Sequence, residues 1–455
     1  MRLNFLFLVL SLGLAISARA ESLAPKPDDA AFAPFHPVAA PVTRHLLLKP
    51  GDRLAICGDS ITEQKRYSRI IEDYLTLCVP QLQVTARQYG WSGEKAPGFL
   101  ARMTNDCLRF NPTIATTCYG MNDFQYRPYT DAIGGVYLTN QTAIVEAFKA
   151  HGVRVILGSA GSVGKIPRWA PKLDDSLVDL NLSLCRFRNL DIAIAQKEHV
   201  AFADVFWPML TGECAAQKEY GDSYALNGGD GVHPGWAGHV VMACAYLKAM
   251  GLDGQIGTFT VNLKHNKIKV TAGHRVISAR DGTYEIESSR YPFCPCSAPP
   301  TAAGYPACGQ DEVASDQSIR SGMTLVTFNQ DLNRLMLIAK NGTAQNYTVT
   351  WGDDQKVFTA NQLAHGINLA VEFPHNPFTD AFAKVDAAVA AKQEFETDEI
   401  KNQFEAQHEH HLTRADITER TEKAVGPAEV THANLAAAVA AAFVPVTHTL
   451  KIEPQ

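Results

Sequence analysis

The chain has 455 residues, a formal net charge of -6, 46% hydrophobic residues, 19% charged residues and ten cysteines. That apolar share excludes wholesale disorder, and the length points to two or three domains. The mild acidity removes any electrostatic case for nucleic-acid binding, and the cysteines are too few for a disulfide-dense miniature scaffold.

Residues 1–20 combine Arg2, an apolar run over 3–16 and the small-x-small end Ala18-Arg19-Ala20. This is the pattern of a secretory signal peptide; the run is short for a membrane anchor and abuts a cleavage site. The expected mature protein is secreted or periplasmic, without stable membrane insertion, in a compartment where disulfides persist. The later apolar stretch 435–444 is too short to span a bilayer.

Residues 21–46 are rich in Pro and Ala and read as an extended lead-in. Over 47–253, short apolar runs alternate with amphipathic stretches. Strands are expected at 54–57, 83–87, 113–119, 153–159 and 200–205, with helices at 65–77 and 236–250. Alternation of this kind predicts a parallel α/β sheet with helices on both faces. Residues 254–352 change character. Strands at 258–263, 267–271, 275–278, 284–288, 325–328, 335–339 and 347–351 predict a small, mostly antiparallel β-rich domain. A loop over 291–322, rich in Cys and Pro, interrupts it. Residues 353–455 read as a mostly helical region, highly charged over 379–424, with a further helix at 433–443 and a terminal strand at 446–452.

Ligands of a parallel α/β sheet bind outside the carboxyl ends of its strands. Four short motifs sit at such ends: Gly58-Asp59-Ser60-Ile61-Thr62, Gly90-Trp91-Ser92-Gly93, Gly120-Met121-Asn122-Asp123 and Asp230-Gly231-Val232-His233-Pro234. Ser60, in a strand-to-helix turn, has an exposed hydroxyl and backbone N–H groups around it. His233 is the base that such a serine needs, and Asp230 three residues earlier can fold back to orient the imidazole. The N–H groups of Ser60 and Gly93 and the side-chain amide of Asn122 can stabilise an oxyanion. Asp59 and Asp123 read as turn-holding residues.

On these residues the chain resembles the SGNH (GDSL) hydrolase family, whose four named residues Ser, Gly, Asn and His match Ser60, Gly93, Asn122 and His233 in order. The family's Asp-x-x-His element matches Asp230 to His233. The resemblance covers roughly residues 48–252. It implies a three-layer, flavodoxin-like α/β/α sandwich with a short parallel sheet, and ester hydrolysis with no metal and no organic cofactor.

Other features carry open readings. Trp91, Tyr119 and Trp236 flank the motifs and either stack on a substrate sugar in a cleft or pack in the core. The stretches 158–162 and 165–169 either line that cleft or form an ordinary surface loop. His239 reads as a surface or core-edge residue. Cys294, Cys296 and Cys308 lack a zinc spacing and suggest a disulfide in the 291–322 loop. Cys57, Cys118 and Cys244 read as small core hydrophobes. The His408/His411 pair reads as a solvated helix face, not a metal site. The expected substrate is an acylated small molecule or polysaccharide, with a short acyl group. A lipolytic esterase, or a vestigial hydrolase domain on a carbohydrate-binding protein, are the rivals. The oligomeric state is open.

Overall fold

The computed structural model describes residues 22–171, 175–295, 318–404 and 414–455, with side chains from 419 onward in the last segment. The expected signal peptide, Cys296, Cys308 and the His408/His411 pair lie outside the described residues.

The first sheet contains β1 (Arg53–Gly58), β2 (Thr85–Gly90), β3 (Ile114–Cys118), β4 (Arg154–Gly158) and β5 (Ala201–Ala203). All pair in parallel, in the order β2-β1-β3-β4-β5. Burial on both faces explains their near-continuous apolar sequences: beyond Arg53, every residue of β1 is buried. A short helix, α1 (Ser60–Glu63), leaves β1 directly, followed by α2 (Tyr67–Leu77). The other helices of this half are α3 (Ala96–Asp106), α4 (Asp131–Ala150), α5 (Leu177–Glu198), α6 (Phe206–Tyr220) and α7 (Trp236–Ala249). α2 packs on α7, while α3, α4 and α5 pack in succession in the other layer. The rings of Tyr67 and Tyr246 stack at 5.5 Å, and the Tyr246 hydroxyl donates to the Thr117 carbonyl at 2.9 Å, which locks α2 and α7 to β3. The expected α/β sandwich is the observed one. Its strand order reverses between β1 and β3, so a crevice opens at their carboxyl ends.

The lead-in is packed, not detached. Phe32 and Phe35 are buried with ring centroids 5.7 and 6.2 Å from that of Trp207, whose indole N–H donates to the Pro25 carbonyl.

Beyond Gly254 come β6 (Gln255–Asn262), β7 (Lys267–Val270), β8 (His274–Arg280) and β9 (Thr283–Ser288). After the undescribed stretch lie α8 (Ile319–Leu325), α9 (Phe328–Leu332), β10 (Arg334–Lys340), β11 (Asn346–Trp351) and β12 (Asp354–Thr359). α10 (Ala360–His365), β13 (Ile367–Asn368) and α11 (Leu369–Glu372) follow. The chain ends with α12 (Thr379–Asp398), a π-helical turn Glu399–Gln403, α13 (Arg414–Ala442) and β14 (Val446–Pro454). Two sheets result, β13-β10-β6-β7 and β12-β11-β14-β9-β8, antiparallel except for the parallel β6–β10 pair. The terminal strand β14 therefore sits inside the second sheet, between β11 and β9.

Two expectations are corrected. The run 325–328 is no strand: α8 ends at Leu325 and α9 begins at Phe328. The Ser318 side chain caps α8, and a four-residue apolar run carries no period of its own. The separate helix expected at 433–443 is the second half of α13, which runs through Pro427.

Part of the charge of α12 faces inward, toward α2 and the edge of the first sheet: Asp386, Lys392 and Glu396 are buried, while Asp380, Lys384, Glu394 and Asp398 are exposed. The Lys392 ammonium, buried, bonds the Ala86 carbonyl (2.7 Å), Glu396 (2.6 Å) and Glu72 (3.0 Å). Arg87 of β2 pairs with Glu399 at 2.5 Å and Glu429 at 2.6 Å. Arg69 of α2 pairs with Asp386 through both carboxylate oxygens. Burial pushes the Glu72 carboxyl up to about 6 against the pull of Lys392, and Glu399 up to about 7 against that of Arg87. Among the described residues no helix is long and apolar enough to cross a membrane.

Candidate active site

The four strand-end motifs meet in the crevice. Asp59 is the N-cap of α1: its Oδ1 accepts from the Ile61 N–H at 3.0 Å, which turns the chain sharply after β1 and presents Ser60 at the first helical position. Gly90 lets the end of β2 pass against α1. A Cβ there would stand 2.2 Å from the Glu63 backbone nitrogen. Gly93 has φ +75° with open space at its Cβ position, so its backbone conformation, not crowding, calls for glycine.

Ser60 Oγ lies 2.8 Å from His233 Nε2, and His233 Nδ1 lies 2.7 Å from Asp230 Oδ2. The other Asp230 oxygen accepts from the N–H groups of Val232 and His233, both at 2.9 Å. Partial burial raises the Asp230 carboxyl, but those two N–H groups and the imidazole outweigh it, and the net effect holds it below the usual carboxylate value. An ionised Asp230 accepts only, so Nδ1 carries the proton and Nε2 offers its lone pair to the Ser60 hydroxyl. The turn bearing His233 is anchored twice: Arg66 donates to the Pro234 carbonyl at 2.9 Å, and Gly164 N–H donates to the Gly231 carbonyl at 2.9 Å.

Asn122 lies across the crevice. Its amide nitrogen donates to the Glu94 carbonyl at 3.1 Å and stands 3.4 Å from Asp59 Oδ2. The Asp59 carboxyl is pushed up to about 7, first by burial, with the nearby Asp123 and Glu94 adding to the rise and the Ile61 N–H opposing it. Asp123 accepts from Ala96 N–H (2.9 Å) and Gly120 N–H (3.1 Å), and so ties the start of α3 to the end of β3; burial lifts its carboxyl to about 6.

Several residues absent from the sequence reading support this crevice. Glu94 takes both a two-point bond from Arg102 (2.6 and 2.7 Å) and the Tyr119 hydroxyl (3.0 Å). Lys401 pairs with Glu63 at 2.6 Å, and the other Glu63 oxygen accepts from Ser92 N–H, next to Gly93. Tyr126 donates its hydroxyl toward Asn122 Oδ1 at 3.5 Å.

The aromatic expectations divide. The cleft alternative for Tyr119 is corrected and the core one holds: its ring is fully buried and stacks on Phe99 at 5.4 Å. Trp91 is half-buried under Lys401 and Arg102, and Trp236 under Arg66 and Arg69. Within the stretch 165–169, Trp169 does reach the site, with its ring centroid 5.8 Å from that of His233. His239 is also corrected. It is fully buried: Nδ1 accepts from Tyr67 N–H at 3.2 Å and Nε2–H donates to Gln64 at 2.7 Å, and burial holds it neutral, well below the ordinary imidazole value. Cys57, Cys118, Cys244 and Cys294 are buried free thiols.

Residues 56–241 match the family model described as GDSL-like Lipase/Acylhydrolase family. No curated protein matches the chain in sequence. Among solved structures, a gut microbial diltiazem-metabolizing enzyme aligns over 92% of this chain and 100% of its own, at 20% identity and a TM-score of 0.70. The shared fold thus extends through the β sheets and the C-terminal helices. Axe2, an acetylxylan esterase from Geobacillus stearothermophilus, aligns over 46% of this chain and 97% of its own, at 21% identity and a TM-score of 0.38. LAE5, an alpha/beta hydrolase from the metagenome of Lake Arreo, Spain, aligns over 45% and 98%, at 21% identity and a TM-score of 0.36.

Proposed function

Residues 56–241 belong to the GDSL-like lipase/acylhydrolase family, and on that premise we propose that the chain is a serine esterase acting on short acyl esters of a polysaccharide. The observation that carries this reading is the unbroken hydrogen-bonded line Asp230–His233–Ser60 at the crevice between β1 and β3. Ser60 Oγ attacks the ester carbonyl as its proton passes to His233 Nε2. The tetrahedral intermediate collapses, the proton goes to the leaving alcohol, and the acyl group stays on Ser60. Water, deprotonated by the same imidazole, then releases the acid and restores Ser60. Asp230 holds the tautomer and stabilises the imidazolium.

Ser60 N–H, Gly93 N–H and the Asn122 amide make up the oxyanion hole in this reading. The Asn122 amide has two hydrogens. One is engaged by the Glu94 carbonyl; the longer 3.4 Å contact to Asp59 is the one that the substrate oxyanion replaces. The catalytic unit spans residues 47–253, and residues 254–455 serve as its brace, a role supported by the buried ion pairs of α12 and α13 with α2 and β2. Export through cleavage after Ala20 belongs to the same proposal, and N-terminal sequencing of the mature protein tests it.

A screen of acetylated polysaccharides and of esters of increasing acyl length, with Ser60→Ala as control, tests the function. Release of acetate by the wild type and its loss in S60A are expected. Preference for long-chain esters would replace the reading with a lipolytic one, and inactivity of a folded wild type would leave a vestigial hydrolase.

A further inference from the structure

We propose that Trp169 and Tyr126 form a platform for the alcohol side of the ester, a pyranose ring held against Ser60 and His233. This rests on the esterase reading above. Trp169 is 48% exposed, and among the described residues it is the only exposed Phe, Tyr or Trp. It stands beside the catalytic imidazole, with ring centroids 5.8 Å apart and planes inclined at 54°. Tyr126 meets it edge-on, at 6.0 Å and 89°, and points its hydroxyl toward Asn122. The two rings thus bridge the expected oxyanion donor and the expected base along one wall of the crevice.

The wall is held in place. Gln125 and Tyr126 are consecutive non-glycine residues at φ +58° and +53°, a conformation that persists only where the surroundings fix it. Phe124, buried, packs on the Tyr126 ring at 4.9 Å. The loop carrying Trp169 is pinned upstream. Ser159 Oγ accepts from Val205 and Phe206 N–H, and Asn181 bonds both the N–H and the carbonyl of Val163. Gly164 N–H then joins this loop to the turn bearing Asp230 and His233. An exposed indole offers a flat apolar area at little side-chain entropy cost, which suits the C–H face of a sugar. Exposed Lys165 and Arg168 flank it as donors for hydroxyl groups. An acyl chain, in contrast, calls for an enclosed apolar channel.

The test compares kcat/KM for an acetylated xylo-oligosaccharide with kcat/KM for ethyl acetate, whose leaving group has no ring. The wild type is expected to hydrolyse both. In Trp169→Ala the ratio of the two should fall at least tenfold, mainly through KM on the oligosaccharide, and Trp169→Phe should recover part of it. Circular dichroism checks that each variant is folded. An unchanged ratio in W169A overturns the platform. So does a wild type active on ethyl acetate but not on the oligosaccharide, or a W169A loss larger on p-nitrophenyl palmitate than on the sugar ester. In each of those outcomes ester hydrolysis at Ser60 stands, and only the unchanged ratio leaves the polysaccharide substrate untouched. A wild type inactive on every ester overturns both.

Discussion

His233 Nε2 stands 2.8 Å from Ser60 Oγ although 173 residues separate the two in sequence. The fold alone brings them together, because β1 delivers Ser60 and the turn before α7 delivers His233 to the same end of one sheet. Asp230 completes the line. Replacing Asp230 with Asn should leave the fold intact and lower kcat on the order of 10⁴-fold, since Asn can donate to Nδ1 and stabilise the wrong tautomer. Steady-state kinetics on p-nitrophenyl acetate read this directly, and a loss below about tenfold would remove Asp230 from the mechanism.

Lys401 connects the C-terminal region to the Trp91–Gly93 loop, the proposed source of one oxyanion donor, through Glu63 and Ser92 N–H. Lys401→Met should lower kcat by about tenfold, a fraction of the roughly 10²–10³-fold that loss of a direct oxyanion donor brings. KM should change little, and Lys401→Arg should restore most of the rate. Equal rates for K401M and wild type would limit Lys401 to a structural pairing.

Lys392 is the cation of a buried cluster with Glu72 and Glu396. Lys392→Met keeps most of the volume, removes the cation that Glu72 and Glu396 share, and leaves Glu396 its contact with His432. Breaking a buried pair from one side costs about 3–5 kcal/mol, which urea unfolding resolves. A loss under about 1 kcal/mol would mean that α12 is not a brace. On the same grounds a chain ending near residue 254 should fail to fold, because Arg69, Arg87 and Gln88 would lose the partners they have on α12 and beyond. A soluble, active truncation would contradict this.

The second sheet carries a directed chain of hydrogen bonds. Trp351 Nε1–H donates to His448 Nδ1 (3.1 Å), so His448 Nε2–H donates to Ser288 (2.9 Å). The Ser288 hydroxyl then donates to His274 Nδ1 (2.7 Å), and His274 Nε2–H to the Ile256 carbonyl (3.1 Å). Burial lowers His274 to about 4 and His448 to about 3, against about 6.5 for a free imidazole. The unfolded chain binds these protons first. The network's stabilisation is therefore complete above about pH 6.5 and drains away as pH falls through about 4 and 3. The unfolding free energy of wild type minus His448→Gln should shrink between pH 7 and pH 4. A difference that stays constant, or grows toward acid, would contradict the neutral assignment.

The parallel sheet and the four strand-end motifs were legible in the sequence because they are local: an apolar run, a turn, a helix start. The brace was not. Arg69 and Asp386 are 317 residues apart, and a charged helix looks the same in sequence whether its charges meet water or one another. Tyr119 stayed open between cleft and core for a related reason: it sits just before the Asn122 motif, but a residue one step before the turn still packs with the buried strand end, where its hydroxyl finds Glu94. Tyr126 left no signal at all, since its direction comes from two left-handed residues that are not glycines. Trp169 lay in a stretch that the sequence left open between cleft and ordinary loop, and its nearness to His233 depends on the Gly164–Gly231 bond between distant turns.

The proposed chemistry stands or falls with Ser60 as the nucleophile. A fluorophosphonate probe followed by peptide mass spectrometry tests it most directly. One adduct is expected, on the peptide containing Ser60, formed by wild type and lost in Ser60→Ala. An adduct on another residue, or none on a folded wild type that hydrolyses p-nitrophenyl acetate, would contradict it.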